Sequence, residues 1–172
     1  MARGTTEERV SKVRWGIVGT GKVARNFAAD LRHAPEAEIV AVASRDPARA
    51  DAFAREIGGA VRAHGSYEAL AADPAVEVAY IATPNSCHRR DALLCIEAGK
   101  AVLCEKPFTL NAREAEEVIA AARRRRVFLM EGLWTRFFPA IRQVREWLGA
   151  GAIGVPRWVE ADLGYRAPYD PA

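Results

Sequence analysis

The stretch VRWGIVGTGKVA, residues 13–24, decides the fold class of this chain. Its apolar first half, which ends at Val18, predicts a buried strand that runs straight into a tight turn. The next six residues, Gly19-Thr20-Gly21-Lys22-Val23-Ala24, have the form GxGxxA, and a helical pattern begins near Lys22. The chain therefore opens with a strand, a glycine-rich turn and a helix.

Each small residue of this turn has a physical role in dinucleotide binding. Gly19 permits the tight turn, Gly21 lets the backbone approach a pyrophosphate, and Ala24 lets the helix pack closely on the strand. The N–H groups at the helix N-terminus attract phosphate. We therefore expect residues 19–24 to bind the diphosphate of a dinucleotide. The alternative is a glycine-rich turn without a ligand.

Short apolar runs recur along the chain and alternate with helical stretches rich in Ala, Glu and Arg. They lie at residues 39–43, 76–82, 101–104 and 127–130, with a weaker run near Val61. Ser66 is the predicted N-cap of the helix that follows this weaker run. Such alternation predicts an α/β fold, a doubly wound parallel sheet of the Rossmann type with helices on both faces.

The composition is that of an ordinary globular protein and excludes several functional classes. The net charge of +3 is spread along the chain, and the run Arg123 to Arg126 matches a solvated helix C-terminus. We therefore expect no nucleic-acid partner. No run approaches the roughly 20 apolar residues that span a bilayer. Three cysteines without CxxC spacing favour a reducing cytoplasm, and we expect no metal site.

Ser44-Arg45 follows the second predicted strand, where an enzyme that uses NAD usually carries an acidic residue. A hydroxyl and a guanidinium suit the 2′-phosphate of NADP, and Arg49 lies one helical turn further on. We therefore expect NADP(H) as the preferred cofactor, with NAD(H) also accepted. The alternative is that Arg45 only faces solvent and that Asp46 binds the ribose.

Two further segments follow predicted strands at the edge where open α/β sheets bind ligands. In the first, which we expect to lie at the cofactor, Thr83 and Pro84 are predicted to form a wall for the nicotinamide. Either Asn85 or Ser86 is predicted to cap the next helix, and His88 to be either structural or catalytic. In the second, Glu105-Lys106-Pro107, a lysine directly after a buried strand is able to hydrogen-bond a substrate oxygen and assist its proton transfer.

The GxGxxA turn, Ser44-Arg45, the segment from Thr83 to His88 and Glu105-Lys106-Pro107 together resemble the Gfo/Idh/MocA oxidoreductase family over nearly the whole chain. Residues 131–139 resemble the branch that contains dimeric dihydrodiol dehydrogenase and NADP-dependent xylose dehydrogenase. The resemblance implies that Lys106 is catalytic, that Glu105 supports it beside the cofactor, and that Trp134 and Arg136 border the cofactor pocket. For Trp134, packing between two domains remains an equal alternative.

The change of texture after Met130 places a domain boundary near Leu133. We expect a flexible tail at residues 1–12, a dinucleotide-binding Rossmann domain at 13–133, and at 134–172 the start of a second, α+β domain for substrate binding and dimerisation, which the resemblance implies is incomplete. Residues 158–163 alternate apolar and charged side chains and predict a half-buried strand.

The resemblance implies hydride transfer between a nicotinamide and a hydroxyl-bearing carbon of a sugar, polyol or cyclic diol. Two alternatives remain open. In the first alternative, the chain is a catalytically incomplete nucleotide-binding module or a truncated gene product that binds NADP(H) without turnover. In the second, it associates with its own copies through the strand predicted at residues 158–163.

Overall fold

The computed structural model describes residues 11–164, whose strands form one parallel sheet. The strands are β1 Val13–Val18, β2 Ala37–Ala43, β3 Arg62–His64, β4 Val78–Ile81, β5 Ala101–Cys104 and β6 Leu129–Glu131. The helices are α1 Lys22–Leu31, α2 Pro47–Ile57, α3 Tyr67–Ala72, α4 His88–Glu97, α5 Ala112–Arg125 and α6 Pro139–Gly149. The strand order is β3-β2-β1-β4-β5-β6, and every neighbouring pair is parallel. The predicted doubly wound sheet is confirmed.

Alternate residues of each central strand pack on opposite faces of the sheet. Ile17, Val42 and Tyr80 lie in one core cluster with side chains of α1 and α2. Their neighbours Val18 and Ile81 lie in a second cluster with side chains of α3, α4 and α5. Because both faces are covered by helices, the strands are nearly continuous apolar runs.

The chain reverses direction across the sheet between β1 and β4, which are adjacent although two strands separate them in sequence. This is the topological switch point at which open α/β sheets bind ligands. Backbone bonds continue past the strand ends there, from Gly19 N to Ala43 O at 3.0 Å and from Ala82 N to Val18 O at 2.9 Å. The loops that follow the strands are therefore fixed to the sheet.

Local signals that the sequence carries are mostly realised. Ser66 caps α3, since its Oγ accepts from Ala69 N at 3.1 Å. The arginine run from residue 123 ends α5, and Arg125 bonds Glu97 on α4. Asn85 does not cap α4 by its side chain; it lies in a short 3-10 helix, Asn85–Cys87, whose last residue is the N-cap.

A second compact unit begins at Trp134. It contains a short 3-10 helix, Trp134–Phe137, followed by α6. The strand predicted at Trp158–Leu163 is wrong, because this segment is irregular and exposed and pairs with no strand among the described residues. An alternating pattern cannot form a strand without a partner for its backbone hydrogen bonds. Residues 1–10 of the predicted tail and residues 165–172 lie outside the described part.

No helix within residues 11–164 combines the length and the apolar character needed to cross a membrane. Within the same range, no three side chains of the metal-binding types come together.

Candidate dinucleotide-binding site

A groove of about 570 Å³ opens at the switch point, at the carboxyl edge of β1, β2 and β4. The loops that follow these three strands supply most of its wall. Its lining residues are Gly19, Thr20, Gly21, Lys22, Val23, Ser44, Arg45, Asp46, Arg49, Tyr67, Ala82, Thr83 and Pro84. Ten residues predicted from three separate segments of the sequence are thus in one groove.

The floor of the groove is the turn between β1 and α1. The first hydrogen bond into α1 runs from Arg25 N to Gly21 O at 3.1 Å, so the N–H groups of the preceding turn have no acceptor inside the helix. Gly21 has no side-chain cap, and a Cβ built on it meets nothing within 4 Å. The turn therefore presents free amides to open space, the arrangement that binds phosphate.

Ala24 does not line the groove. Its side chain is fully buried in the cluster that joins α1 to the sheet. This small residue lets the helix approach β1 closely, and its contribution to the site is the position of α1.

The end of β2 supplies the charge of the groove. Arg45 and Arg49 are exposed and form no ion pair with any residue between 11 and 164, whereas Ser44 is buried with its Oγ bonded to Asp46 N at 3.2 Å. Asp46 is the N-cap of α2, and its Oδ1 accepts from Ala48 N at 3.0 Å. Asp46, the alternative ligand for the ribose, thus already uses one carboxylate oxygen. The guanidinium groups of Arg45 and Arg49 are available to bind an anion.

Tyr67 also lines this end of the groove, and sequence reasoning missed it. Burial, followed by the charge of Asp91, raises the pKa of its hydroxyl, and Arg45 acts in the opposite direction. Tyr67 directly follows the N-cap Ser66 after β3. Because β3 is parallel to β2, the residues that follow it, of which Tyr67 is the third, reach the same edge of the sheet, and this placement was the available signal.

The end of β4 forms the other wall. Thr83 is 7% exposed and lines the groove with Pro84. The Oγ1 atom of Thr83 is buried and has no hydrogen-bond partner in the described structure. A buried hydroxyl without a partner is costly, so the end of β4 beside the groove carries a polar atom that the described residues leave unsatisfied.

Lys106 and Glu105 lie beyond the groove, on the turn after β5. Lys106 is exposed, and its backbone N–H donates to Glu105 Oε2 at 3.2 Å. The hydroxyl of Tyr80 donates to Glu105 Oε1 at 2.5 Å. Burial, and then the bond to Glu105, raise the pKa of Tyr80, so its hydroxyl stays protonated and remains a donor.

Four other predicted residues do not line the groove: Asn85, His88, Trp134 and Arg136. His88 is 1% exposed, at the start of α4, and its ring nitrogens face backbone carbonyls. Trp134 and Arg136 belong to the second unit, where Trp134 packs edge-on against Phe138 at a centroid distance of 4.9 Å. Their place beside the cofactor stays a prediction.

A parallel sheet whose switch point carries free amides, free guanidinium groups and an unpartnered hydroxyl defines a dinucleotide-binding Rossmann domain. The Gfo/Idh/MocA family model, described as "Oxidoreductase family, NAD-binding Rossmann fold", matches residues 13–133. The chain belongs to this oxidoreductase family, and the resemblance identified from its motifs is confirmed.

Curated relatives and solved structures agree with this placement. Trans-1,2-dihydrobenzene-1,2-diol dehydrogenase of Mus musculus is 50% identical over 161 residues, which are 92% of this chain and 48% of that protein. The Homo sapiens protein of the same name is 49% identical over 154 residues, 88% of this chain and 46% of that protein. The chain spans about half the length of the curated relatives it matches.

An NAD binding oxidoreductase from Klebsiella pneumoniae superposes with a TM-score of 0.79 at 32% identity, over 84% of this chain and 40% of that one. A 3-ketoreductase from Actinomadura kijaniata, solved with NADP and TDP-benzene, gives a TM-score of 0.75 at 33% identity, over 82% of this chain and 43% of that one.

Proposed function

We propose that this chain is the NADP(H)-binding part of a dehydrogenase that transfers a hydride between nicotinamide and a hydroxyl-bearing carbon of a cyclic diol, polyol or sugar. The observation that carries the proposal is the groove itself, in which the glycine-rich turn from Gly19, the cationic Arg45 and the wall at Thr83 line one space. Relatives named as dihydrodiol dehydrogenases, at 46–51% identity, support the class of reaction.

The residues fit the phosphates of the cofactor. The Gly21 turn leaves room for a diphosphate and offers amides to it, and Lys22 adds a positive charge at the same place. Arg45 and Arg49 are placed for a 2′-phosphate on the adenosine ribose, where a guanidinium forms two charge-assisted hydrogen bonds. Asp46 keeps the acidic NAD-type contact available through its second oxygen, so NAD(H) is the weaker ligand.

The nicotinamide end of the site is formed by Thr83 and Pro84, with Lys106 on the neighbouring turn. When bound, the nicotinamide supplies the hydride acceptor or donor. Lys106 donates a hydrogen bond to the substrate oxygen and moves its proton as the carbon changes oxidation state. Glu105 accepts a hydrogen bond from the backbone N–H of Lys106 and another from the hydroxyl of Tyr80. These bonds fix the backbone position from which the Lys106 side chain extends.

The cofactor assignment is tested by titrating the purified chain with NADPH and NADH. Arg45→Ala should weaken NADPH binding roughly ten- to a hundred-fold, about 1.5–3 kcal/mol, because hydrogen bonds to a charged phosphate are lost, and should leave NADH unaffected. Arg55→Ala is the control, since Arg55 lies in the last turn of the same helix as Arg49 and does not line the groove. Equal losses for both cofactors would contradict the assignment of Arg45.

Turnover is tested separately with a panel of dihydrodiols, polyols and aldoses, by following NADPH absorbance. Lys106→Met should abolish any turnover while leaving NADPH affinity within about three-fold, since only the amine of an exposed side chain is removed. If the native chain binds NADPH and oxidises no member of the panel, the module without turnover becomes the better description.

The proposal includes a cytoplasmic location and association with a second copy of the chain. All three cysteines are free, which agrees with a reducing compartment.

The second unit exposes apolar side chains of α6, among them Ile141, Val144 and Trp147, which a partner surface would cover. Light scattering over a dilution series measures this association.

A further inference from the structure

The side chain of His88 is held between two loops that the proposed function uses. It is 1% exposed and is the first residue of α4. Its Nε2 lies 2.9 Å from the carbonyl oxygen of Thr83, and its Nδ1 lies 2.9 Å from the carbonyl oxygen of Pro107. One imidazole therefore bridges the loop after β4 and the turn after β5.

Both partners of this ring are acceptors. A carbonyl oxygen has no proton to give, so each ring nitrogen needs its own N–H to make the bond. The tautomer decides which of the two carbonyls accepts the ring N–H, and the ring lies between the two loops in either case.

The two bridged carbonyls belong to the two halves of the proposed reaction site. Thr83 lines the groove, and Pro107 directly follows Lys106. The turn is also held from its other sides, by Tyr80 on Glu105 and by the bond from Phe108 N to Glu131 Oε1 at 3.0 Å. Those contacts fix the turn to the sheet, whereas the contact through His88 fixes it to the wall of the groove.

We propose that His88 is a positioning residue that sets the spacing between the nicotinamide wall at Thr83 and the amine of Lys106. The inference rests on the proposed function, because it assigns the nicotinamide end of the groove to Thr83. His88 touches neither cofactor nor substrate; it acts through the two backbone carbonyls that it binds.

The test compares two ligands on one set of variants of the 172-residue chain. NADPH reaches the nicotinamide wall, whereas 2′,5′-ADP carries only the adenosine and its phosphates. His88→Phe removes both ring nitrogens and should weaken NADPH binding roughly ten-fold or more while leaving 2′,5′-ADP within about two-fold of the native chain. His88→Gln, whose amide donates two hydrogen bonds, should recover part of the NADPH affinity.

The outcomes separate this inference from the function on which it rests. If the native chain binds neither ligand, the proposed function fails. If it binds both and His88→Phe binds NADPH normally, or loses both ligands equally, the positioning role is overturned and the proposed function stands.

A measurement on the native chain keeps the inference testable if His88→Phe does not fold. The nitrogen-15 signals of the His88 ring, assigned with His33→Asn and His64→Asn variants, should shift when NADPH is added and stay in place with 2′,5′-ADP. Signals of His88 that do not move with NADPH, or that move equally with both ligands, would overturn the positioning role.

Discussion

Gly19 and Gly21 lie two residues apart in the same turn, and the structure predicts opposite effects for the same added methyl group. A Cβ on Gly19 would lie 2.8 Å from Ala82 O, and the residue has a φ of +105°. The left-handed conformation costs an L-residue about 1–2 kcal/mol. Pushing the loop after β4 away adds about 1–3 kcal/mol. Gly19→Ala should therefore lower the free energy of unfolding by about 2–5 kcal/mol.

Gly21→Ala should leave stability almost unchanged. Gly21 has a φ of −78°, which alanine adopts freely, and no atom lies within 4 Å of the added Cβ. The loss of a favourable N-cap residue is offset by the lower entropy of the unfolded chain, so we expect a change below about 1 kcal/mol. The methyl group would instead occupy the space where the diphosphate approaches the amides, and NADPH affinity should fall by roughly ten-fold or more.

Urea unfolding measures the free energy of unfolding of each variant. Fluorescence titration with NADPH, at a temperature where both variants are folded, measures the affinity for NADPH. The reasoning is refuted if Gly21→Ala binds NADPH as tightly as the native chain, because the diphosphate then lies elsewhere. It is also refuted if the two variants lose equal stability, because the close contact between Gly19 and Ala82 is then absent.

Three further predictions concern residues outside the groove. Burial alone would raise the pKa of Asp73, but its hydrogen bonds to Ala75 N and His64 and the charge of Arg62 together lower this pKa. The contribution of Asp73 to stability is therefore present above about pH 4 and is lost as the pH falls through the lowered pKa. Acid unfolding of Asp73→Asn should lack part of this pH dependence, and a profile equal to that of the native chain would count against the prediction. Tyr80→Phe should reduce the free energy of unfolding by about 1.5 kcal/mol through loss of a hydrogen bond to a carboxylate, measured in urea, and a neutral effect would mean that water replaces the bond. Burial raises the pKa of the Cys95 and Cys104 thiols to about 12. A thiol reagent should therefore label Cys87 alone in the native chain and all three cysteines after unfolding. More than one fast-labelled thiol in the native chain would contradict the buried positions of Cys95 and Cys104.

Features that depend on neighbours in sequence could be predicted from the sequence. The GxGxxA turn, the strand that leads into it and the cap at Ser66 follow from short-range rules, and the parallel order follows from strand and helix alternation. These rules also explain why residues of the groove were identified from separate segments: the carboxyl ends of parallel strands meet at one edge, so the residue type directly after each strand is informative.

Features that depend on tertiary contacts could not be predicted. The bond from Tyr80 to Glu105 joins residues 25 positions apart, and the bond from His88 to Pro107 joins residues 19 apart. No local pattern reports such distances. The same limit explains the error at residues 158–163, where the alternation of side chains was correct but a partner strand, which alternation cannot guarantee, was missing from the described residues.

The two parts of the site differ in how completely the protein satisfies its own polar groups, and this difference assigns them different roles. In the groove, the turn before α1 has no side-chain cap, and the guanidinium groups of Arg45 and Arg49 pair with no residue between 11 and 164. We expect a ligand that supplies acceptors there to gain bonds that the chain does not already make, and by linkage its occupation should stabilise the fold by about 2.7 kcal/mol at a hundred times the dissociation constant. At the turn of Lys106, Glu105 and the N–H groups of Lys106 and Phe108 already have partners among the described residues, so ligand binding has less to add there, and the exposed amine of Lys106 remains available to react.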